Sequence, residues 1–305
     1  MTEQHENKWS TYGFRILINT VSHPFEYAKV LIQIGYEPIP PRPSTTFFGK
    51  PALKLPNIFQ YVKHIKTVDG FTGCYRGLES KACGSILSAL ATQKVTEYLE
   101  INRVEDDEEE MDVELLRRKR FIRSTRNDIV TRATAIIVSQ PFHVITVRIM
   151  AQFIGREVKY QGLFGSIGEI YRQNGLLGFF SGLVPRLLGD ILTVLIANTL
   201  TYVINTYIVE EKELQVYTSA TMMFIATAVT YPFQVVSNCM AVTKSGLMAG
   251  SPPLMPHYGT WVNCWTDLSN RNQLKRGSSL LVRYYVGPQF SIDSKVMPKM
   301  SSLKY

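Results

Sequence analysis

Three short stretches set hydrogen-bonding or charged groups around a proline inside mostly apolar sequence: Ser22-His23-Pro24-Phe25-Glu26, Ser139-Gln140-Pro141-Phe142-His143 and Thr230-Tyr231-Pro232-Phe233-Gln234. Around the first, Arg15, Asn19, Ser22, Glu26, Lys29 and Gln33 recur every three or four residues. That spacing draws a polar stripe along one side of a helix otherwise fit for lipid. Charge inside a membrane is expensive and ordinarily faces a bundle interior or water. The simpler reading, that Glu26 and Lys29 satisfy each other at i,i+3, leaves the other four stripe positions unexplained.

Similar stripes recur downstream. Lys81, Ser85, Ser88, Thr92 and Thr96 share one helical face, as do Asp128, Arg132, Ser139, His143 and Thr146. Asp190, Asn198, Thr201 and Asn205 recur at helical spacing, and Thr227, Thr230, Gln234 and Asn238 fall in line. Asp190 reads either as a partner for a helix N-terminus or Arg186, or as a groove residue. The candidate polar groove is therefore Asn19, Glu26, Lys29, Ser85, His143, Asp190, Asn198, Gln234 and Asn238. Its chemistry would be solvation of polar matter inside hydrocarbon, without bond making. No Ser/His/Asp, metal-ligand or Gly-rich phosphate constellation stands out, so neither an enzyme nor a metal or cofactor site is expected.

The prolines at 24, 141 and 232 lie 117 and then 91 residues apart, an internal repeat near 100 residues. The pattern predicts membrane helices over 10–34, 78–100, 127–153, about 187–208 and about 216–242, with proline bending each odd one. Amphipathic linkers follow the odd helices, near 57–68, at 160–171 and around Trp261 and Trp265, two tryptophans expected to anchor at the lipid interface. The Pro-rich connector at 38–43 reads as an extended surface loop. The run from Glu105 to Arg126, acidic then basic, reads as a solvated loop between repeats, or alternatively as a docking surface. After Arg283 only 22 residues remain, including Pro288, Asp293, Lys295 and Pro298. A span needs about 20 mainly apolar residues, so no sixth helix is expected.

The fold class expected is thus an all-α, three-repeat helical membrane bundle of five helices. It forms one domain over 1–305, with repeats at about 1–104, 105–212 and a truncated 213–305. With 45% hydrophobic and 19% charged residues, composition sits between a soluble protein and a typical transporter. A net charge of +8 without any basic–aromatic recognition motif points to anionic lipid headgroups and not to nucleic acid. Four cysteines (Cys74, Cys83, Cys239, Cys264) form no paired framework. Glu3 and Glu6 in a first segment without an apolar core argue against a cleaved presequence.

Helix, amphipathic linker and helix in three copies, with proline in each odd helix, resemble the mitochondrial carrier family over nearly the whole chain. That family's Pro-x-acid-x-x-base signature survives once, as Pro24, Glu26 and Lys29. Repeat two has His143 and Thr146 at the acid and base positions, and repeat three has Gln234 and Ser237. The resemblance implies that the ring of three salt bridges closing one face of a transporting carrier cannot form. The wording of 28–38, 141–146, 152–157 and 178–192 is similar to a divergent branch of the mitochondrial outer membrane. The resemblance implies an integral, multi-pass protein there. It would insert α-helical, especially tail-anchored, proteins through a polar groove open to lipid, or serve as receptor or scaffold for a pro-apoptotic protein. A degenerate solute carrier is the third reading.

Overall fold

The computed structural model describes residues 2–46, 48–101, 113–209 and 211–285. The odd positions of the bundle are three long helices with an internal proline each: α1 (Thr2–Ile34, Pro24), α4 (Val113–Gly155, Pro141) and α7 (Lys212–Val242, Pro232). Their even partners are α3 (Leu78–Ile101) and α6 (Leu183–Tyr207). Short linker helices α2 (Ile58–Gly73), α5 (Gly162–Asn174) and α8 (Trp261–Asn270) follow the odd helices. Asn57 starts α2 with a reciprocal capping box to Gln60, and the Thr260 hydroxyl caps α8. α3 packs along α4, and α6 along α7 and α4, whereas α1 touches α2, α3, α4 and α7 more sparingly. The core gathers where the C-terminal halves of the odd helices meet the linkers, around Tyr27, Leu31, Tyr61, Val144, Ile145, Val235 and Val242.

Among the described residues three helical stretches are long and apolar enough to cross a membrane: Glu114–Gly155, Leu176–Tyr207 and Leu214–Val242. Among the described residues, α1 and α3 do not reach that measure. Their polar stripes dilute the apolar surface that such a measure counts.

Several expectations need correcting. α4 begins at Val113, so the basic residues from Arg117 to Arg126 are the first turns of a 43-residue helix and not loop. At 1.5 Å per residue that helix is about 65 Å long, about twice a hydrocarbon core. The acidic part at 102–112 lies outside the described residues. α6 starts at Leu183 and not Leu187, so Asp190 stands two turns inside and is no partner for the helix N-terminus. Trp265 packs on Phe233 at 4.7 Å between ring centres and so belongs to the fold's own packing.

The Pro-rich connector is also not simply loop. β1 (Arg42–Thr45) pairs antiparallel with β2 (Pro51–Leu55), which pairs with β3 (Arg283–Tyr284). This small sheet ties the end of the described chain back to the first repeat. Arg283 donates to the Pro56 carbonyl at 2.9 Å and pairs with Glu37, both side chains being buried. Burial holds the Glu37 carboxyl above its ordinary range, against the pull of the Arg283 guanidinium.

Each repeat turns after its linker helix on a glycine with positive φ: Gly77 (80°), Gly182 (75°) and Gly277 (72°). Gly77 abuts Thr146 and Ile149 of α4, Gly182 abuts Ser237 of α7, and Gly277 abuts Ile32 and Gln33 of α1. The three turns therefore close a ring. After the first two, the chain continues as α3 and α6. After Gly277 it runs without helix into β3, and residues 286–305, where the remainder of the expected polar tail falls, lie outside the described residues.

Breaking the Glu37–Arg283 pair on one side leaves a buried charge alone, at a cost of about 3–5 kcal/mol. Arg283→Met is expected to lower the midpoint of thermal unfolding in detergent. Glu37→Leu/Arg283→Met together should recover most of it. Equal losses for the single and double variants would show that the pair does not act as a unit.

Candidate functional site

α1, α3, α4, α6 and α7 enclose a cavity of about 730 Å³. Helical periodicity delivers its lining: Asn19, Glu26, Lys29 and Gln33 come from α1, and Lys81, Ser85 and Ser88 from α3. α4 contributes Arg132, Ser139, His143 and Thr146; α6 contributes Arg186, Asp190 and Thr193. Thr227, Thr230, Gln234 and Asn238 come from α7.

Charges on the wall are matched between adjoining helices. Glu26 of α1 holds Lys81 of α3 at 2.5 Å and accepts from Ser22 at 3.1 Å. It is not paired to Lys29, so the simpler i,i+3 reading fails. Arg132 of α4 stands 3.8 Å from Asp190 of α6. Lys29 lies over the Tyr231 ring, 5.4 Å from its centre, with no carboxylate at ion-pair distance among the described residues. Arg186 donates to Gln140 at 2.9 Å. Asn19 donates to Ser85 at 3.2 Å, joining α1 to α3 higher on the wall.

The floor is neutral. His143 and Asn238 meet at 3.1 Å, Asn238 donates to Gln33 at 2.7 Å, and Gln33 donates to the Tyr231 hydroxyl at 2.8 Å. Tyr231 in turn donates to the Arg276 carbonyl at 2.7 Å. One chain of hydrogen bonds thus links α4, α7 and α1 and ends on the turn before Gly277. Hydrogen bonds between α1 and α7 join Gln33 to Tyr231, Asn238 and Cys239. Above that level α1 presents Phe14, Leu17, Ile18, Val21 and Phe25 outward.

The family model for mitochondrial carrier proteins matches residues 128–212. The chain is 41% identical over 274 residues to mitochondrial carrier homolog 2 of Mus musculus, covering 87% of this chain and 90% of that one. Against mitochondrial carrier homolog 2 of Homo sapiens it is 40% identical over 292 residues, covering 92% and 95%. This chain belongs to the mitochondrial carrier homologs of the mitochondrial carrier family. Mitochondrial carrier homolog 1 of Mus musculus is 36% identical over 290 residues, covering 87% of this chain and 74% of that one.

In this carrier homolog, eight of the nine residues expected in a groove line one cavity: Asn19, Glu26, Lys29, Ser85, His143, Asp190, Gln234 and Asn238. Asn198 does not. It donates to Asp128 at 2.9 Å and Thr125 at 3.3 Å, fastening α6 to α4 outside the cavity. Eight residues past Asp190 carry a helix about 80° off its starting face, whereas seven return nearly to it. The residue seven on is Ala197, so the polar stripe of α6 ends at Thr193. Thr92 and Thr96 of α3 likewise lie beyond the cavity. Sequence reading missed Lys81 and Arg132 as ion-pair partners, and Tyr231 and Gln33 as floor. Gln33 and Lys81 sat on their stripes, but nothing in a stripe names the opposite helix.

Removing the central amide of the floor strands a buried donor, costing about 1–3 kcal/mol. Gln33→Leu should destabilise the purified protein, and it should do so more than Asn19→Leu higher on the wall. Comparing the two thermal unfolding curves in one detergent decides this; an unaffected Gln33→Leu would mean the floor is not held by this chain.

Proposed function

We propose that this carrier homolog inserts α-helical proteins, tail-anchored ones especially, into the mitochondrial outer membrane through a polar groove that opens sideways to lipid. The observation carrying this reading is the combination of a polar cavity with a ring that closes at the floor and lacks a helix after Gly277 through residue 285. On this reading α1 and α3 span with the three more apolar stretches, giving five membrane helices, and the gap lies between α1 and α7. A short hydrophilic tail crossing bare hydrocarbon loses several kcal/mol per unsatisfied group. Asn19, Glu26, Lys29, Ser85, His143, Asp190, Gln234 and Asn238 would stand in for water during that crossing. No cofactor enters such a mechanism, and the partners are membrane lipids and client helices.

Transport of a small solute by alternating access fits less well. Among the described residues Lys29, Thr146 and Ser237 find no carboxylate on the neighbouring repeat, so an ionic latch that opens and closes lacks its parts there. A receptor or scaffold role for a pro-apoptotic protein has one supporting feature, the basic first turns of α4 from Arg117 to Arg126. That feature supplies a charged surface but no account of the cavity. Purified protein in liposomes, offered a tail-anchored client and, separately, labelled solutes, tests the three readings together. Insertion without solute flux supports the first; flux without insertion overturns it.

Lys29 is a cavity cation with no carboxylate at ion-pair distance among the described residues, and Asp190 is one of the two cavity acids. Lys29→Glu should favour clients with basic tails over acidic ones, and Asp190→Arg the reverse. Unit charges about 8 Å apart at an effective dielectric near 20 interact by about 2 kcal/mol, enough for a rate change above about tenfold. Insertion is to be measured at matched protein levels with clients differing only in tail charge. Equal treatment of both tails by both variants would defeat the electrostatic part of the mechanism.

A further inference from the structure

The even helices do not merely lie beside the odd ones; each seats a glycine on a phenylalanine. A Cβ on Gly84 of α3 would meet Phe142 Cβ of α4 at 2.8 Å, and one on Gly189 of α6 would meet Phe233 Cβ of α7 at 2.6 Å. Contacts that close admit no side chain larger than hydrogen without movement. Both phenylalanines directly follow the helix proline, Pro141 and Pro232, and both glycines stand seven residues after the positive-φ turns at Gly77 and Gly182.

The third repeat builds half of this joint. Phe25 follows Pro24 on α1, as Phe142 and Phe233 follow their prolines. The turn at Gly277 abuts α1 as the other turns abut α4 and α7. The residue seven after Gly277, however, is Tyr284, which lies in β3 and not on a helix. Among the described residues no glycine sits upon Phe25, whose ring meets Phe59 of α2 edge-on at 5.5 Å. It is 36% exposed and continues outward into Val21 (65%), Ile18 (49%), Leu17 (59%) and Phe14 (63%), an apolar ridge at helical spacing. The ridge borders the cavity, whose lining on α1 includes Asn19 and Glu26.

We propose that the transmembrane helix of a client docks on Phe25, setting a glycine or other small residue there as α3 and α6 set theirs on Phe142 and Phe233. The ridge continues an interface the fold already makes twice, which fixes the occupant as an apolar helix with a small residue at the depth of Phe25. Helices in lipid gain little from apolar contact alone, because the tails are equally apolar, and rely on close backbone approach at small residues. The docked helix would complete the bundle while its polar tail lies in the groove. This inference rests on the insertase reading and adds a sequence requirement to it.

The test uses the full-length protein in liposomes with a photo-crosslinking amino acid at Val21. The client is a tail-anchored protein whose membrane segment of about 20 residues is leucine throughout except for one glycine, moved along it one position at a time. Wild-type protein should give a single maximum, spanning about one helical turn, in both crosslinking and insertion rate, with insertion there at least about threefold above the other positions. Phe25→Ala should flatten that profile while inserting all clients at the lower rate. Phe59→Ala, which removes the ring beside Phe25 and leaves the knob in place, should keep the maximum and so separates docking from local damage. Robust insertion with a flat profile in the wild type would overturn the inference and leave the insertase reading standing. Crosslinks from Val21 to residues 286–305, or to a second copy of the chain, would overturn it by naming another occupant. Absence of insertion for every client would overturn both.

Discussion

An ion within hydrocarbon needs a partner, and this bundle pairs its two cavity acids between adjoining helices and not across its centre. Glu26 and Lys81 join α1 to α3, and Asp190 and Arg132 join α6 to α4. Both pairs are partly exposed to the cavity, where such pairs add little net stability, so their main effect is on arrangement. Each pair fixes which face of one helix meets which face of the next. With charge disposed of on the wall, the centre can be neutral: His143, Asn238, Gln33 and Tyr231 meet there by hydrogen bonds alone. The polar cavity exists because those two levels hold the helices apart above and together below.

The repeat supplies the rest of the geometry. A glycine turn places each linker helix against the next odd helix, and a second glycine lets the even helix approach the phenylalanine after the proline. Two repeats carry out both steps. The third carries out the first and then diverts into a strand that pairs with β2 and buries Arg283 against Glu37. The diversion is anchored on the first repeat by a sheet and an ion pair, so it is a built feature of the fold and not a frayed end. The outcome is a ring that closes on one level and, among the described residues, has no third even helix on the next.

Much of this was legible before any coordinates. Proline inside apolar sequence marked the odd helices, and intervals of three and four marked their wet faces. Eight of the nine residues named for the groove line the cavity, although the stripes also run past it at Thr92, Thr96 and Asp128. They failed at Asn198, where counting by four drifted off the face over two turns. The start of α4 was missed because a run of arginine and lysine reads as solvated sequence, although such residues are good helix formers and need only water on their outer side. The third strand was missed because its partners, Lys54 and Leu55 with Tyr284 and Arg283, are far apart in the chain and too short to show alternation. Partner identity was the general limit. A stripe says that Glu26 needs a cation, and only packing says that the cation is Lys81 and not Lys29.

The lost signature charges and the diverted third repeat are consistent with one another. A carrier that alternates must break and remake a closure on each side of its substrate, and ionic groups suit a closure that a charged substrate can compete for. It must also keep a complete wall, since a leak to lipid would defeat the two-sided control. Here the floor is held by neutral bonds worth about 0.5–1.5 kcal/mol each, braced by the Gly277 turn, and it offers a charged solute little to exchange. On the insertase reading the floor never has to open. The tail uses the polar cavity, the apolar helix leaves past α1 and α7, and both motions occur above the level where Gln33 ties those helices together. A fixed neutral floor and an unfinished wall are then two requirements of one lateral route, and neither would serve a route that runs from end to end.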